Sequence, residues 1–251
     1  MRAVATILSM VGVLVLAAPA GAGLVGTYEC TVKVIFTPPG ETNPVELEKK
    51  FDWELTSSKL LFDWGLGDGV THDFTAAGIT GPVATIEGLS VHLEADPAVS
   101  LSFAVTAGVV DTTVVISSPV ITFPALVNPD AYATATMTLT DNNSNGATAT
   151  GQFAGPTSYE ATYNGSVNWA HLVGTLTALP DGSAIGNGRQ PSPTGRTAIN
   201  ATVSSIQSEY NFVLTAGDSA SGTSRFDVVP EPATLALLGF GAALVAMRRR
   251  G

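Results

Sequence analysis

Cysteine, charge and aromatic side chains are all scarce in this sequence of 251 residues. Cys30 is the only cysteine, so no disulfide can form within the chain. Charged residues make up 13% and aromatic residues 7% of the chain, whereas apolar residues make up 45%. This apolar content argues against disorder, because it is enough to form a buried core. The remaining polar residues are mainly Thr, Ser, Asn and Gly, which are typical of β-strands joined by tight turns.

Basic residues are scarce as well, with 11 Lys and Arg against 21 Asp and Glu. Four of the bases lie at the two ends of the chain, so the middle is more acidic than the formal net charge of −10 indicates. Such a surface repels phosphate backbones, which argues against nucleic-acid binding. It is compatible with divalent cations, neutral glycans or basic partners.

The lone cysteine has two interpretations. A lipid attachment site after signal cleavage is one, but Tyr28 and Glu29 lack the small, uncharged character of that signal. The alternation of Tyr28, Cys30, Val32 and Val34 instead indicates a strand with one buried face. We predict that Cys30 is a buried strand residue.

The first 22 residues have the composition of a secretory signal peptide. Met1-Arg2 precedes an uncharged apolar run over residues 3–16, and the small residues Ala20-Gly21-Ala22 follow it. We predict export through the Sec machinery and removal of residues 1–22 by signal peptidase. Cleavage after Ala20 and a retained membrane anchor are the alternatives.

The C-terminal residues form a three-part pattern. Pro230-Glu231-Pro232 holds the backbone extended, because proline fixes its own φ and keeps the preceding residue out of the helical region. Residues 233–247 carry no charge and are rich in Ala and Leu, which predicts a transmembrane helix. Arg248-Arg249-Arg250 follows, and its positive charge favours a cytoplasmic position for the end of the chain. A buried terminal helix is the alternative for this segment.

Together these parts resemble the PEP-CTERM sorting signal of Gram-negative and related bacteria. The resemblance covers residues 230–251, with Pro230, Glu231, Pro232, Arg248, Arg249 and Arg250 as its motif residues. It implies recognition by an exosortase, an integral-membrane cysteine transpeptidase-like enzyme that cuts near the Pro-Glu-Pro. It also implies an inner-membrane intermediate, followed by delivery to the cell surface or an extracellular matrix of exopolysaccharide. It implies nothing about residues 23–229.

The middle of the chain alternates between apolar and polar residues. Val99, Leu101, Phe103 and Val105 alternate with small polar residues, and the same pattern recurs in residues 51–55 and 210–214. About a dozen short strands and no convincing helical periodicity predict an all-β fold, an antiparallel β-sandwich of jelly-roll-like type.

The predicted domain boundaries follow composition. The sandwich is predicted over residues 23–217, because Gly217–Ser224 is rich in Gly and Ser. Residues 218–229 are predicted as a flexible linker to the sorting signal at residues 230–251. Leu179–Arg196, rich in Pro, Gly and Ser, is predicted as a long surface loop.

Two acidic loops are candidate calcium sites. Asp141, Asn143 and Asn145 occupy positions one, three and five of a loop that resembles the first half of an EF-hand, although Gln152 stands where the bidentate carboxylate belongs. A hairpin turn explains the same residues. Asp63 and Asp68 form the second loop, which is also explained as a solvated turn. The sequence predicts no cofactor, with calcium at these loops as the alternative.

Two further features bear on binding and catalysis. Trp64 is the predicted glycan contact, with Trp53 and Trp169 as alternatives. His92 and Glu94 share one face of a strand, where they form either a functional pair or a simple hydrogen-bonded pair. No motif of a serine hydrolase, zinc protease or phosphate-binding loop is present.

The prediction is therefore an exported, non-enzymatic surface or matrix protein with a structural or adhesive β-domain. A glycan-binding module is one alternative, and a carboxylate-based polysaccharide hydrolase is another.

Overall fold

The computed structural model describes residues 23–230, and over this range the chain is all-β. Its strands are β1 Leu24–Phe36, β2 Val45–Lys59, β3 Leu61–Gly65, β4 His72–Phe74, β5 Ala84–Glu94, β6 Ala98–Ala107, β7 Thr112–Ser117, β8 Ile121–Val127, β9 Asp130–Thr140, β10 Ala147–Gly151, β11 Thr157–Tyr163, β12 Val167–Gly174, β13 Leu176–Ala178, β14 Ser183–Gln190, β15 Thr197–Ala198, β16 Thr202–Leu214 and β17 Ser219–Val229. Within this range, no helix is long and apolar enough to cross a membrane. The predicted signal peptide at 1–22, Glu231, Pro232, the helix at 233–247 and Arg248–Arg250 lie outside the described residues.

The strands form two antiparallel sheets that pack face to face, which confirms the predicted sandwich. Sheet A has the order β12-β11-β16-β7-β1-β2, with β8, β10 and β13 at its sides. Sheet B has the order β14-β9-β17-β6-β5-β3, with β4 and β15 at its sides. Local hairpins such as β1–β2, β5–β6 and β11–β12 remain within one sheet. The chain crosses between the sheets after β2, β6, β8, β9, β13, β15 and β16. The jelly-roll-like type stays a prediction.

Period-two alternation builds the core. In β6, Val99, Leu101, Phe103 and Val105 are buried, and the residues between them face outward. Cys30 is fully buried in β1, as predicted, and burial raises the pKa of its thiol to about 12. A thiol held protonated in this way is a packing residue.

The two open sides of the sandwich are closed by different means. On one side, Trp53 of β2 stacks on Phe62 and Trp64 of β3, with ring centroids 5.6 and 5.1 Å apart. On the other, β14 lies close against β12 and β13 because it carries glycines. A Cβ at Gly186 would come within 2.7 Å of Leu176 Cδ2, and one at Gly188 within 2.9 Å of Leu172 Cβ.

Two boundary predictions differ from the structure. Residues 183–190, within the predicted long loop, form β14 and pair with β9. Residues 219–229, predicted as a flexible linker, form β17, which lies between β6 and β9 in the middle of sheet B. The sandwich therefore extends to Val229 and does not end at residue 217.

Candidate functional site

The outer surface of sheet B is dominated by small hydroxyl side chains. In β9, Ala133, Ala135 and Met137 point into the core, so the threonines between them point outward. The same alternation operates in the neighbouring strands β5, β6 and β17. We call this surface the hydroxyl face; its members are Ser90, Ser100, Ser102, Thr106, Thr134, Thr136, Thr138, Thr140, Ser219, Ser221 and Thr223.

A shallow groove of about 430 Å³ crosses the hydroxyl face. It exists because one row of cross-strand neighbours carries almost no side-chain volume: Gly88 pairs with Ala104, and Ala104 pairs with Ser221. Leu66 adds an apolar contact, and none of the described residues that line the groove is charged. The hydroxyls lining the groove are those of Ser90, Ser102, Thr136, Thr138, Ser221 and Thr223.

The strands beneath the groove are fixed from the core side. The Tyr210 hydroxyl, on sheet A, lies 2.7 Å from the Thr223 carbonyl oxygen and 3.0 Å from that of Thr136. On the outer side, the Thr136 and Thr223 hydroxyls are 2.8 Å apart. The groove is therefore a preformed surface.

Beside the groove lies a chain of charged side chains that we call the ion network. Its members are Asp63, His92, Glu94, Arg225, Asp227 and Arg196. His92 and Arg225 both pair with Ser100, so this row adjoins the groove row of Ser102. The prediction that His92 and Glu94 share a face is confirmed.

Each member of the network contacts the next at hydrogen-bond distance. His92 Nδ1 lies 2.5 Å from Asp63 Oδ1, and its Nε2 lies 2.9 Å from Glu94 Oε1. Arg225 donates two bonds to Glu94, at 2.6 and 3.0 Å, and a third to Asp227 at 3.0 Å. Arg196 donates to Asp227 at 2.7 Å.

These contacts shift the titration of two groups. Burial alone would lower the pKa of His92, but the hydrogen bonds with Asp63 and Glu94 outweigh burial and raise that pKa. The Arg225 guanidinium lowers the pKa of Glu94, and His92 adds to this effect. Because the network is satisfied internally, its role is to hold β3, β5 and β17 in register beside the groove.

A carboxylate pair lies on the outer face of sheet A. Glu160 of β11 and Glu209 of β16 are directly opposite each other, which places their Cβ atoms about 5 Å apart. His171 Nε2 lies 3.3 Å from Glu160, and the Ser117 hydroxyl donates to Glu209 at 2.5 Å. Burial raises the pKa of Glu160; His171 opposes this effect, and the charge of Glu209 adds to it. Sequence reasoning missed this pair because opposition across strands depends on register.

The Asp141 loop has the hydrogen bonds of a tight turn. The Asp141 carboxylate accepts bonds from the backbone N–H groups of Asn143, Gly146 and Asp181, at 3.2, 3.2 and 2.7 Å. Burial would raise the pKa of Asp141, but these amides outweigh it and lower the pKa. Asn143 accepts from the Asn145 N–H at 3.2 Å. These bonds support the turn interpretation, and the calcium site there stays a prediction.

The second predicted calcium loop is divided by the fold. Asp63 lies in β3 and contacts His92, whereas Asp68 is exposed in the turn that follows β3. Across residues 23–230, no three His, Cys, Asp or Glu side chains are arranged to hold a metal ion.

All three tryptophans are half-buried. Trp64 stacks on Trp53 with an angle of 8° between the rings, and the Phe51 ring lies 5.4 Å away. One face of the Trp64 ring therefore packs against the aromatic side chains that close the edge of the sandwich. The groove, which has no aromatic wall besides Phe103 at its base, lies on another part of the surface.

The C-terminal end of β17 leads directly into the predicted sorting segment. Val229 still pairs with Asp130 of β9, and Pro230 follows as an exposed residue. Residues 228–250 match the PEP-CTERM protein-sorting motif family. The chain carries a PEP-CTERM sorting motif. This motif marks an exported protein that reaches the cell surface through the membrane, where an exosortase processes it.

Two solved structures align with the chain at low sequence identity. No curated protein matches it. A carbohydrate-binding module from the β-sandwich superfamily aligns at 11% identity, covering 82% of this chain and 86% of the module, with a TM-score of 0.18. The VP2 subviral particle of infectious bursal disease virus aligns at 10% identity over 93% of this chain and 76% of VP2, with a TM-score of 0.14. Both TM-scores are far below those of a shared fold.

Proposed function

We propose that this PEP-CTERM protein is a non-enzymatic adhesive protein of the cell surface or extracellular matrix, which binds neutral exopolysaccharide in the groove of the hydroxyl face. The observation that carries the proposal is an uncharged groove of about 430 Å³, lined by hydroxyls, on a strongly acidic chain. Its volume falls in the range of about 300–1,000 Å³ that is usual for small-ligand sites.

The chemistry of the groove matches that of a sugar chain. Each Ser or Thr hydroxyl both donates and accepts a hydrogen bond, as each sugar hydroxyl does. Gly88, Ala104 and Leu66 supply an apolar strip on which the C–H face of a sugar ring can lie. An anionic polysaccharide is disfavoured, because the net charge of the chain is −10.

Filling the groove tests this proposal. Ala104→Leu places a larger side chain in the groove, where a Cβ at Gly88 would already lie 3.7 Å from the Ala104 Cβ. We expect binding to a neutral polysaccharide to weaken by about tenfold or more, since two or three hydrogen bonds are lost. Affinity electrophoresis in gels containing the polysaccharide measures the change.

Thr113→Leu is the matched control, because Thr113 faces outward from β7 of sheet A, away from the groove. We expect it to leave binding unchanged. Equal binding by Ala104→Leu and the unchanged protein would rule out the groove as the binding site.

A second candidate function is hydrolysis of matrix polysaccharide, favoured by the Glu160–Glu209 pair. A raised pKa suits Glu160 to the role of general acid, and Glu209, directly opposite it, is the second carboxylate that such a mechanism requires. Release of reducing ends that is abolished by both Glu160→Gln and Glu209→Gln would support this function. No release by the unchanged protein would remove it.

A further inference from the structure

The line of the groove continues past its deepest part, toward the edge of sheet B. The groove floor is a row of directly opposed residues on four strands, Gly88, Ala104, Ser221 and Thr138. The next residue in this row is Ile185 of β14, which pairs with Thr138. Because opposed residues in antiparallel strands point to the same side of a sheet, Ile185 lies on the same surface as the groove.

Ile185 is a large apolar residue on a surface of small polar ones. Its side chain is 72% exposed, whereas the neighbouring Gly186 faces Leu176, so β14 holds Ile185 outward. The hydroxyls of Ser183 and Thr140, 3.1 Å apart, join β14 to β9 beside it. The aliphatic surface of Ile185 is therefore held in a fixed place, where a ligand that follows the row out of the groove would cover it.

An aliphatic side chain also stands at the other end of the row. Leu66 lines the groove together with Gly88, and its N–H donates to the Leu89 carbonyl at 2.9 Å. From Gly88 to Ile185 the row crosses β5, β6, β17, β9 and β14. Neighbouring strands are about 4.8 Å apart, so this part of the row is about 19 Å long.

A second row, made of polar side chains, runs beside the first. Its members are opposed in turn on the same five strands, and they are Ser90, Ser102, Thr223, Thr136 and Asn187. Each strand therefore offers one polar side chain next to the floor, at a repeat of about 4.8 Å. That repeat is close to the length that one sugar ring adds to an extended chain, so successive rings meet equivalent groups.

We infer that the ligand of the groove is an extended, unbranched neutral glycan of about five rings, which lies across the strands from Leu66 to Ile185. This inference rests on the polysaccharide binding of the proposed function, and it adds the shape, the length and the direction of the ligand. An extended chain keeps the C–H faces of its rings on the floor and its hydroxyls against the polar row. A coiled chain leaves the floor after a few rings.

Glucose oligomers of two linkages test the shape and the length. We expect β-1,4-linked oligomers, which are extended, to bind more tightly with each added ring up to about five rings and to gain nothing beyond that length. The α-1,4-linked oligomers of the same ring number coil, and as the matched control they should bind about tenfold more weakly or not at all. Isothermal titration calorimetry measures both series. Equal affinity for the two linkages, or affinity that stops rising at about three rings, would overturn the inference.

Ile185→Ser tests the far end of the row. We expect it to weaken binding of a β-linked oligomer of about five rings by roughly fivefold, because the apolar contact with one ring is lost. An oligomer of about three rings, which the groove alone holds, should bind unchanged. Leu179→Ser is the control, because Leu179 is 79% exposed but lies in the turn before β14, outside the row.

The methyl NMR signals of Ile185 report the same contact without a substitution. We expect the longer oligomer to shift them and the shorter one to leave them in place; signals that the longer oligomer does not move would contradict the inference.

The inference and the adhesive function fail in different ways. If a neutral polysaccharide still binds and Ala104→Leu weakens it, but β-linked oligomers do not bind or Ile185→Ser has no effect, the inference is wrong and the function stands. If Ala104→Leu binds the polysaccharide as well as the unchanged protein does, both are wrong.

Discussion

At the scale of single residues, Arg225 connects three strands of sheet B. Its guanidinium donates to Glu94, Asp227 and the Tyr132 hydroxyl, and so connects β17 to β5 and β9. Asp227 is almost completely buried and forms ion pairs with Arg225 and with Arg196. Removing one member of such a group of ion pairs lowers the folding stability by more than the intact group adds to it. The reason is that a buried charge is left without its partner.

We therefore expect Arg225→Met to lower the free energy of unfolding by about 2–3 kcal/mol, as measured by urea denaturation. Arg189→Met is the control, because Arg189 stacks on the Tyr132 ring and, among residues 23–230, donates only to the Gly195 carbonyl. Its loss should cost about 1 kcal/mol or less. Equal effects of the two substitutions would show that the network adds nothing beyond packing.

His92 makes the stability of the fold depend on pH. Its pKa is raised in the folded protein, so its contribution is fully present below the ordinary histidine value of about 6.5 and is lost as the pH rises through the folded value. Glu94 has a lowered pKa, so its contribution is present above the ordinary glutamate value and is lost as the pH falls through the folded one.

We expect His92→Asn to cost the most stability below about pH 6 and progressively less toward pH 9. Urea midpoints of both proteins across this range measure the difference. A difference in urea midpoint that grows as the pH rises would contradict the stabilising contacts of His92 with Asp63 and Glu94.

At the scale of strands, the misassigned segments share one cause. The sequence predicts a linker where β17 forms, because Gly217–Ser224 contains little apolar sequence. Gly222 faces the core, but a Cβ there would come within 2.6 Å of the Phe103 ring, and Ser221 and Thr223 face the groove. The strand is low in hydropathy because Phe103 supplies the core volume and the outer face is made of hydroxyls.

The same reasoning explains β14, where Gly186 and Gly188 give room to Leu176 and Leu172. The alternation of apolar and polar residues predicts a strand correctly where the strand supplies its own core side chains, as in β6. It does not predict a strand whose core side chains come from a neighbouring element. The His92–Glu94 pair lies within one strand and was predictable, whereas the Arg225 and Asp63 contacts depend on a register that sequence spacing does not contain.

Truncation tests the assignment of β17. We expect residues 23–229 to fold cooperatively and residues 23–217 to remain unfolded, because the shorter chain leaves β6 and β9 without the strand between them. Far-UV circular dichroism and a thermal melt of both chains measure this. A cooperative melt of residues 23–217 would restore the earlier domain boundary.

At the scale of the whole molecule, the effect of calcium on thermal stability tests whether the fold binds this ion. A ligand that binds only the folded state raises the Tm, so a bound calcium ion must be visible in a melt. The Asp141 carboxylate is already engaged by backbone amides. We expect neither calcium nor a chelator to shift the Tm. A calcium-dependent rise that Asp141→Asn removes would instead establish the predicted calcium site.

The position of the last strand also determines when this molecule is able to fold. One neighbour of β6 in the sheet is β17, which lies more than a hundred residues further along the chain. Ala98 pairs with Asp227, and Thr106 pairs with Ser219. Contacts between such remote parts form slowly. The facing edges of β6 and β9 therefore stay unpaired until residues 219–229 are available to fill the space between them.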